Sequence, residues 1–166
     1  MTIGKRIAGL FRMDDDTWAR HANPWSVWTR TTVLPALILA AWSRVWIGWG
    51  ALVPGAIALL WAWVNPRLFG RPDSLESWAS KAVLGERVWI RRDDRPVPER
   101  HRVVPHVLNT VSGVGMLVVV GGVVWRAVWP TLLGATLVYA GKLWFLDRMV
   151  WLYEDVADAP GKRPTE

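Results

Sequence analysis

Residues 32–64 read TVLPALILAAWSRVWIGWGALVPGAIALLWAWV, and the length of this run decides the expected fold. Only Ser43 and Arg44 interrupt its apolar character. As a single helix it would be about 50 Å long at ~1.5 Å per residue. The hydrocarbon core of a bilayer is only ~30 Å thick. The run is too long for one crossing and suits two. A second run, Val103 to Leu146, carries Arg126 near its middle and Lys142 near its end. It would be about 65 Å long as one helix at the same ~1.5 Å rise, so it too must fold back. The expected fold class is all-α: an integral membrane protein with four transmembrane helices as two hairpins, plus short interfacial amphipathic helices.

The expected helices are roughly 24–42, 46–64, 105–125 and 130–153. Asn23 can cap the first, and Pro24 suits its first position. Pro130 marks the fourth start in the same way. Asn65-Pro66 is expected to end the second helix, because a residue before proline avoids the helical region. This divides a single membrane domain, 1–166, into five parts. Residues 1–23 form an amphipathic N-terminal segment and 24–64 hairpin 1. Residues 65–104 form a linker with an interfacial helix, 105–153 hairpin 2 and 154–166 a flexible tail. Trp42, Val45, Trp46, Leu60 and Trp61 recur 83 residues later as Trp125, Val128, Trp129, Leu143 and Trp144. This echo suggests duplicated hairpins, each tip carrying an arginine inside W-x-x-V-W; in a chain this rich in tryptophan, coincidence is the rival reading.

Charge and tryptophan set the expected orientation. The chain holds 14 Trp and a formal net charge of +6. Trp favours the membrane–water boundary. Trp42, Trp46, Trp49, Trp125 and Trp129 fall at the hairpin tips; Trp25, Trp28, Trp61, Trp63, Trp144 and Trp151 fall at the other boundary. The linker 67–102 holds nine Lys/Arg, residues 1–30 hold five, and each tip holds one. Basic residues accumulate on the cytoplasmic side. The expected location is therefore the cell (plasma) membrane, multi-pass, with both termini and the linker cytoplasmic. The basic excess fits an anionic leaflet, and no nucleic-acid motif accompanies it.

The linker and termini add smaller expectations. Ile3, Ile7, Leu10 and Phe11 share one helical face and read as a surface helix. The first thirteen residues carry too short an apolar run for a signal peptide. In the linker, Asp73-x-x-Glu76 resembles a capping box and Gly85 a helix end, which predicts a helix over 74–84. Val88, Trp89 and Ile90 are then available to the membrane surface. With no cysteine in the chain, disulfides, thiolate catalysis and Cys-ligated metals are excluded.

No catalytic motif is present. What remains is a set of polar residues expected at one membrane depth. His21, Glu86 and His106 are the candidate acid–base groups. Asn23, Arg30, Arg87, Asn109, Lys142, Asp147 and Arg148 are the candidate ligand-binding groups, suited to a phosphate or carboxylate headgroup. No two histidines have the i,i+4 spacing of a metal site, and none is expected; Asp14 to Asp16 read as a solvated cap. No intramembrane carboxylate of a proton-driven transporter occurs mid-helix.

The strings HANPWSVWTR (21–30), WVNPRLF (63–69), WASKAVLGERVW (78–89) and KLWFLDRMVWLYED (142–155) together resemble an uncharacterised family of small Trp-rich prokaryotic membrane proteins. The resemblance spans about residues 14 to 155. It implies a domain of unknown function and carries over no activity and no cofactor. It directs attention to His21, Asn23, Pro24, Trp25, Arg30, Asn65, Pro66, Gly85, Glu86, Arg87, Lys142, Asp147 and Arg148.

Three functions follow as expectations. The first is a membrane protein binding an anionic lipid or amphiphile through the cytoplasmic polar cluster. The second is an enzyme acting there on a lipid or isoprenoid-like substrate. The third is an oligomeric channel or transporter lined by Asn109, Ser112 and Thr136. Membrane lipids are the expected partners, with homo-oligomerisation left open. Convergence of His21, Glu86 and His106 would favour chemistry; arginines paired with acids and helix ends would favour anchoring.

Overall fold

The computed structural model describes residues 14–92 and 97–157. The described residues contain helices and no strand. In chain order the helices are α1 Asp15–His21, α2 Pro24–Arg30, α3 Val33–Ile47, α4 Leu52–Leu68, α5 Trp78–Ile90, α6 Val104–Val124 and α7 Val128–Ala157. Short 3₁₀ turns at Gly48–Ala51 and Glu99–His101 precede α4 and α6. Two stretches are long and apolar enough to cross a membrane: Pro24–Leu68, with a mean hydropathy of 1.7, and Glu99–Val124, with 2.0. The expected surface helix at 3–11 and the tail beyond Ala157 lie outside the described residues.

The expected first helix is two. α2 and α3 are separated at Thr31-Thr32, where backbone bonds tighten to i→i−3: Thr31 N donates to Trp28 O and Thr32 N to Thr29 O, both at 3.2 Å. The hydroxyls of Thr29, Thr31 and Thr32 also donate to carbonyls three or four residues back. Such back-bonding competes with the helical ladder. Pro35 adds to the break, since it has no N–H for the Thr31 carbonyl.

The first hairpin turns at Gly48, whose φ of +54° favours glycine. The second turns through a Schellman motif. Ala127 N donates to Gly122 O at 2.7 Å and Arg126 N to Val123 O at 3.3 Å. The left-handed position of that motif is held by Arg126, with φ +55°, where glycine is usual. The W-x-x-V-W echo does not occupy equivalent places. Trp42 to Trp46 lie within α3, whereas Trp125 and Arg126 form the turn itself.

α4 continues through Pro66 to Leu68 instead of ending at Asn65. The lost proline donor sits in the last turn, where the Arg67 guanidinium reaches back to Trp63 O. Pro66 itself is fully buried, and Asn65 is fixed by side-chain hydrogen bonds. α5 also differs from the expected 74–84. Ser77, not Asp73, is its cap, accepting from Ser80 N at 3.0 Å. Gly85 lies inside the helix, where a Cβ would meet Met149 O at 1.9 Å. It is a crossing point against α7, not a stop signal. Val88, Trp89 and Ile90 consequently belong to α5, and Trp89 is core rather than surface.

The packed core lies at one end of the hairpins. Ala82 and Trp89 of α5 meet Leu108 of α6 and Phe145, Met149 and Leu152 of α7. A neighbouring cluster joins Trp18, Ala22, Val27, Ala79 and Val83. Trp28 and Trp78 stack at 5.7 Å between these clusters. α6 and α7 approach closely through Gly115, Gly122, Gly134 and Gly141, each backed by the other helix. Gly113 faces open space. Hairpin 1 is different: only 6% of its most apolar stretch is buried.

Candidate functional site

The site is built where α1, α2, α4, α5 and α7 meet. α1 begins at Asp14, whose carboxylate accepts from Thr17 N at 2.7 Å. α2 begins at Asn23, which accepts from Trp25 N at 3.0 Å and donates to Gly70 O at 3.1 Å. These two caps set the entry of α2, so His21 and Ser26 face inward.

A linear hydrogen-bond chain follows. His21 Nδ1 lies 2.9 Å from Ser26 Oγ, Ser26 Oγ donates to Asn65 Oδ1 at 2.9 Å, and Asn65 Nδ2 donates to Thr29 Oγ1 at 2.8 Å. Thr29 Oγ1 then donates to Trp25 O at 2.6 Å. Since the Ser26 proton is committed to Asn65, His21 must donate through Nδ1. The serine hydroxyl is thus not held as a nucleophile with His21 as its base. His21, Ser26 and Asn65 are all buried.

Charge gathers beside this chain. Lys142 Nζ on α7 donates to Glu86 Oε1 on α5 at 2.8 Å. His21, Arg30, Glu86 and Lys142 are close enough to act on one another's charge. Burial first, then the positive charge of Arg30, pushes the His21 imidazole down to about 4; Glu86 opposes the shift and Lys142 adds to it. Burial would raise the Glu86 carboxyl, but the Lys142 charge and hydrogen bond, with His21 and Arg30, carry it below the usual carboxylate range. At neutral pH His21 is therefore neutral and Glu86 ionised. Arg30 and Lys142 leave this group one positive charge in excess.

The other expected residues divide. Arg87 pairs with Asp15, and its Nε is buried without a hydrogen-bond partner. Asp147 accepts from Trp78 Nε1 at 3.2 Å. Arg148 lies over the Trp151 ring at 4.2 Å, its Nε likewise buried without a partner. His106 stands at an exposed position against Trp89, ring centroids 5.2 Å apart. Asn109 is exposed on α6. Ser112 donates to Val138 O and Thr136 to Leu132 O. Asp15 and Asp16 pair with arginines: Arg87 and Arg91 for the first, Arg20 and Arg71 for the second. Among the described residues no three His, Asp or Glu side chains gather to hold a metal ion.

Ser26 and Thr29 were not singled out by sequence, because hydroxyls one turn apart on an apolar helix are ordinary. Asp155 was also missed as a partner. It takes hydrogen bonds from His101 and Arg100, which hold its carboxyl below the usual range, against a smaller opposing effect of burial. This joins the 3₁₀ turn before α6 to the end of α7.

Four sequence strings, from His21 to Asp155, supply the site. The model of one protein family matches residues 2–165, nearly the whole chain. The chain belongs to that family, a family of unknown function, DUF6653. No curated protein and no solved structure matches it. Membership of DUF6653 assigns no chemistry, so the site's own geometry must carry any functional reading.

Proposed function

We propose that the chain is a four-crossing plasma-membrane protein that binds an anionic lipid or amphiphile at its cytoplasmic face, without catalysis. The observation that carries this reading is the positive excess of the Arg30, Glu86 and Lys142 group beside the hydrogen-bonded chain from His21 to Thr29. A net cationic group at the end of apolar hairpins suits a phosphate or carboxylate headgroup.

Exposed apolar surface supports the membrane part. Trp125 is 81% and Trp129 80% exposed, and Leu52, Leu59, Leu117 and Leu133 are exposed with them. Surfaces of this kind mark membrane or partner contact. α7 is about 45 Å long at ~1.5 Å per residue, so its first two-thirds span the ~30 Å core and the rest meets α5 outside it. The basic linker and N-terminal segment support cytoplasmic placement of that end.

The enzymatic reading is weakened by the committed Ser26 proton and by a His21 imidazole too acidic to take a proton at neutral pH. The channel reading is weakened by Ser112 and Thr136, whose hydroxyls are used by helix carbonyls.

Native mass spectrometry of protein extracted from its own membrane tests the proposal. One bound anionic lipid fewer is expected on an Arg30→Gln/Lys142→Met variant than on the wild type. Only neutral lipid on the wild type, or equal anionic lipid on both, overturns it. Reporter fusions at Arg44 and Gly85 test the topology; a cytoplasmic signal at Arg44 refutes the hairpins.

A further inference from the structure

The hairpin tips, at the far end from His21 and Lys142, enclose a groove of about 680 Å³. That volume lies within the ~300–1,000 Å³ of ordinary ligand sites. Leu37, Ala40, Ala56 and Leu59 line its apolar wall, and Arg44 and Arg126 belong to the same lining. The two arginines come from different hairpins.

Their charge has no acidic counterpart in the sequence around them. There is no Asp or Glu between residues 17 and 72, or between 100 and 146. Arg44 lies over the Trp49 ring at 5.2 Å, a contact that does not neutralise it. Arg126 occupies a left-handed backbone position that glycine would fill without strain. Strain of this kind is kept where a side chain has a task. An apolar groove bearing two uncompensated guanidinium groups is complementary to one amphiphilic anion.

We infer that the groove seats an anionic glycerophospholipid of the leaflet opposite the polar cluster. Arg44 and Arg126 hold its phosphate, and the acyl chains lie along the Leu37, Ala40, Ala56 and Leu59 wall. This site is separate from the cytoplasmic one and rests on the membrane reading above. Binding here joins the two hairpins at their tips.

The test is native mass spectrometry of the full chain in a neutral detergent, titrated with phosphatidylglycerol or phosphatidylcholine of identical acyl chains. Two phosphatidylglycerol molecules are expected on the wild type, bound about tenfold or more tightly than phosphatidylcholine, as two cationic contacts imply. Arg44→Gln with Arg126→Gly should bind one. The glycine relieves the left-handed φ, so this variant folds. Ala56→Leu, which fills the groove and leaves both charges, should also bind one. Free glycerol phosphate should not compete, because it lacks the chains.

Unchanged phosphatidylglycerol binding in both groove variants overturns the site. So does full competition by glycerol phosphate, or a dimer that Ala56→Leu dissociates, which would make a second copy the occupant. Loss of one lipid only in Arg30→Gln/Lys142→Met leaves the cytoplasmic reading standing and sinks this one. Loss only in the groove variants does the reverse.

Discussion

The Tyr139 hydroxyl donates to the Thr31 carbonyl at 2.5 Å, joining α7 to the break between α2 and α3. Pro35 explains why that carbonyl is available: it stands four residues on, where an N–H would normally donate. Tyr139→Phe removes the replacement donor and leaves a carbonyl unsatisfied in an apolar setting. The expected loss is about 1–2 kcal/mol, read from thermal unfolding in detergent. In that background Pro35→Ala restores a backbone donor and should recover stability. Equal loss with and without the proline would refute this account.

Gly85 predicts a steric contrast. An added Cβ there meets the Met149 carbonyl at 1.9 Å, so α5 must move off α7. Gly85→Ala should cost about 1–3 kcal/mol as an overpacked crossing. Gly113→Ala, with nothing within 4 Å, should be neutral or gain up to ~1 kcal/mol of helix propensity. Unfolding midpoints of the two variants should therefore move apart; a common shift would mean that α5 does not cross α7 so closely.

Much of this was legible in sequence, for definite reasons. Two apolar runs, each with one central arginine, made two helical hairpins readable from length alone. The placement of His21, Arg30, Glu86 and Lys142 near one level followed from counting turns. Their pairing did not, since Glu86 and Lys142 are 56 residues apart. The break at Thr31 had a signal in Pro35, four residues later, to which the expected helix 24–42, started on Asn23 and Pro24, gave no weight. At α5 the Asp73-x-x-Glu76 spacing set the expected start too early; the helix is capped by Ser77, which accepts from Ser80 N. His106 was readable as a boundary residue, yet its packing on Trp89 depends on the fold of α5.

Acid should weaken the fold in a defined window. The folded chain holds His21 at about 4, below the ~6.5 of an exposed imidazole. As pH falls, the unfolded chain therefore takes this proton first. The contribution is fully present above ~6.5, declines below it, and is lost by about pH 4. The loss is about 3 kcal/mol for this displacement. Depressed Glu86 adds its own loss, in the same direction, as pH falls further. His21→Asn keeps a donor to Ser26 but cannot titrate. Its unfolding temperature should lack the decline between pH 6.5 and about 4 that the wild type shows. A decline as steep as the wild type's would place the titrating group elsewhere.

The Glu86–Lys142 bond should measure as a true coupling, and its environment sets the size. The Glu86 side chain is 22% exposed and that of Lys142 45%, so water screens the pair in part. Exposed pairs contribute ~0–1 kcal/mol, whereas breaking a buried one costs ~3–5 kcal/mol. This pair belongs between those limits. Lys142→Met leaves the Glu86 carboxylate half-buried without its nearest cation and should cost about 1–2 kcal/mol. Glu86→Gln should cost less, because Lys142 can extend toward water. With both changes no charge is stranded, so the double variant should be more stable than the two single losses imply, by about 1 kcal/mol. Lys142→Met alone should also raise the Glu86 pKa, moving the acid loss of stability to higher pH. A thermal-unfolding cycle with strictly additive losses would show that Arg30, rather than Lys142, holds the carboxylate ionised.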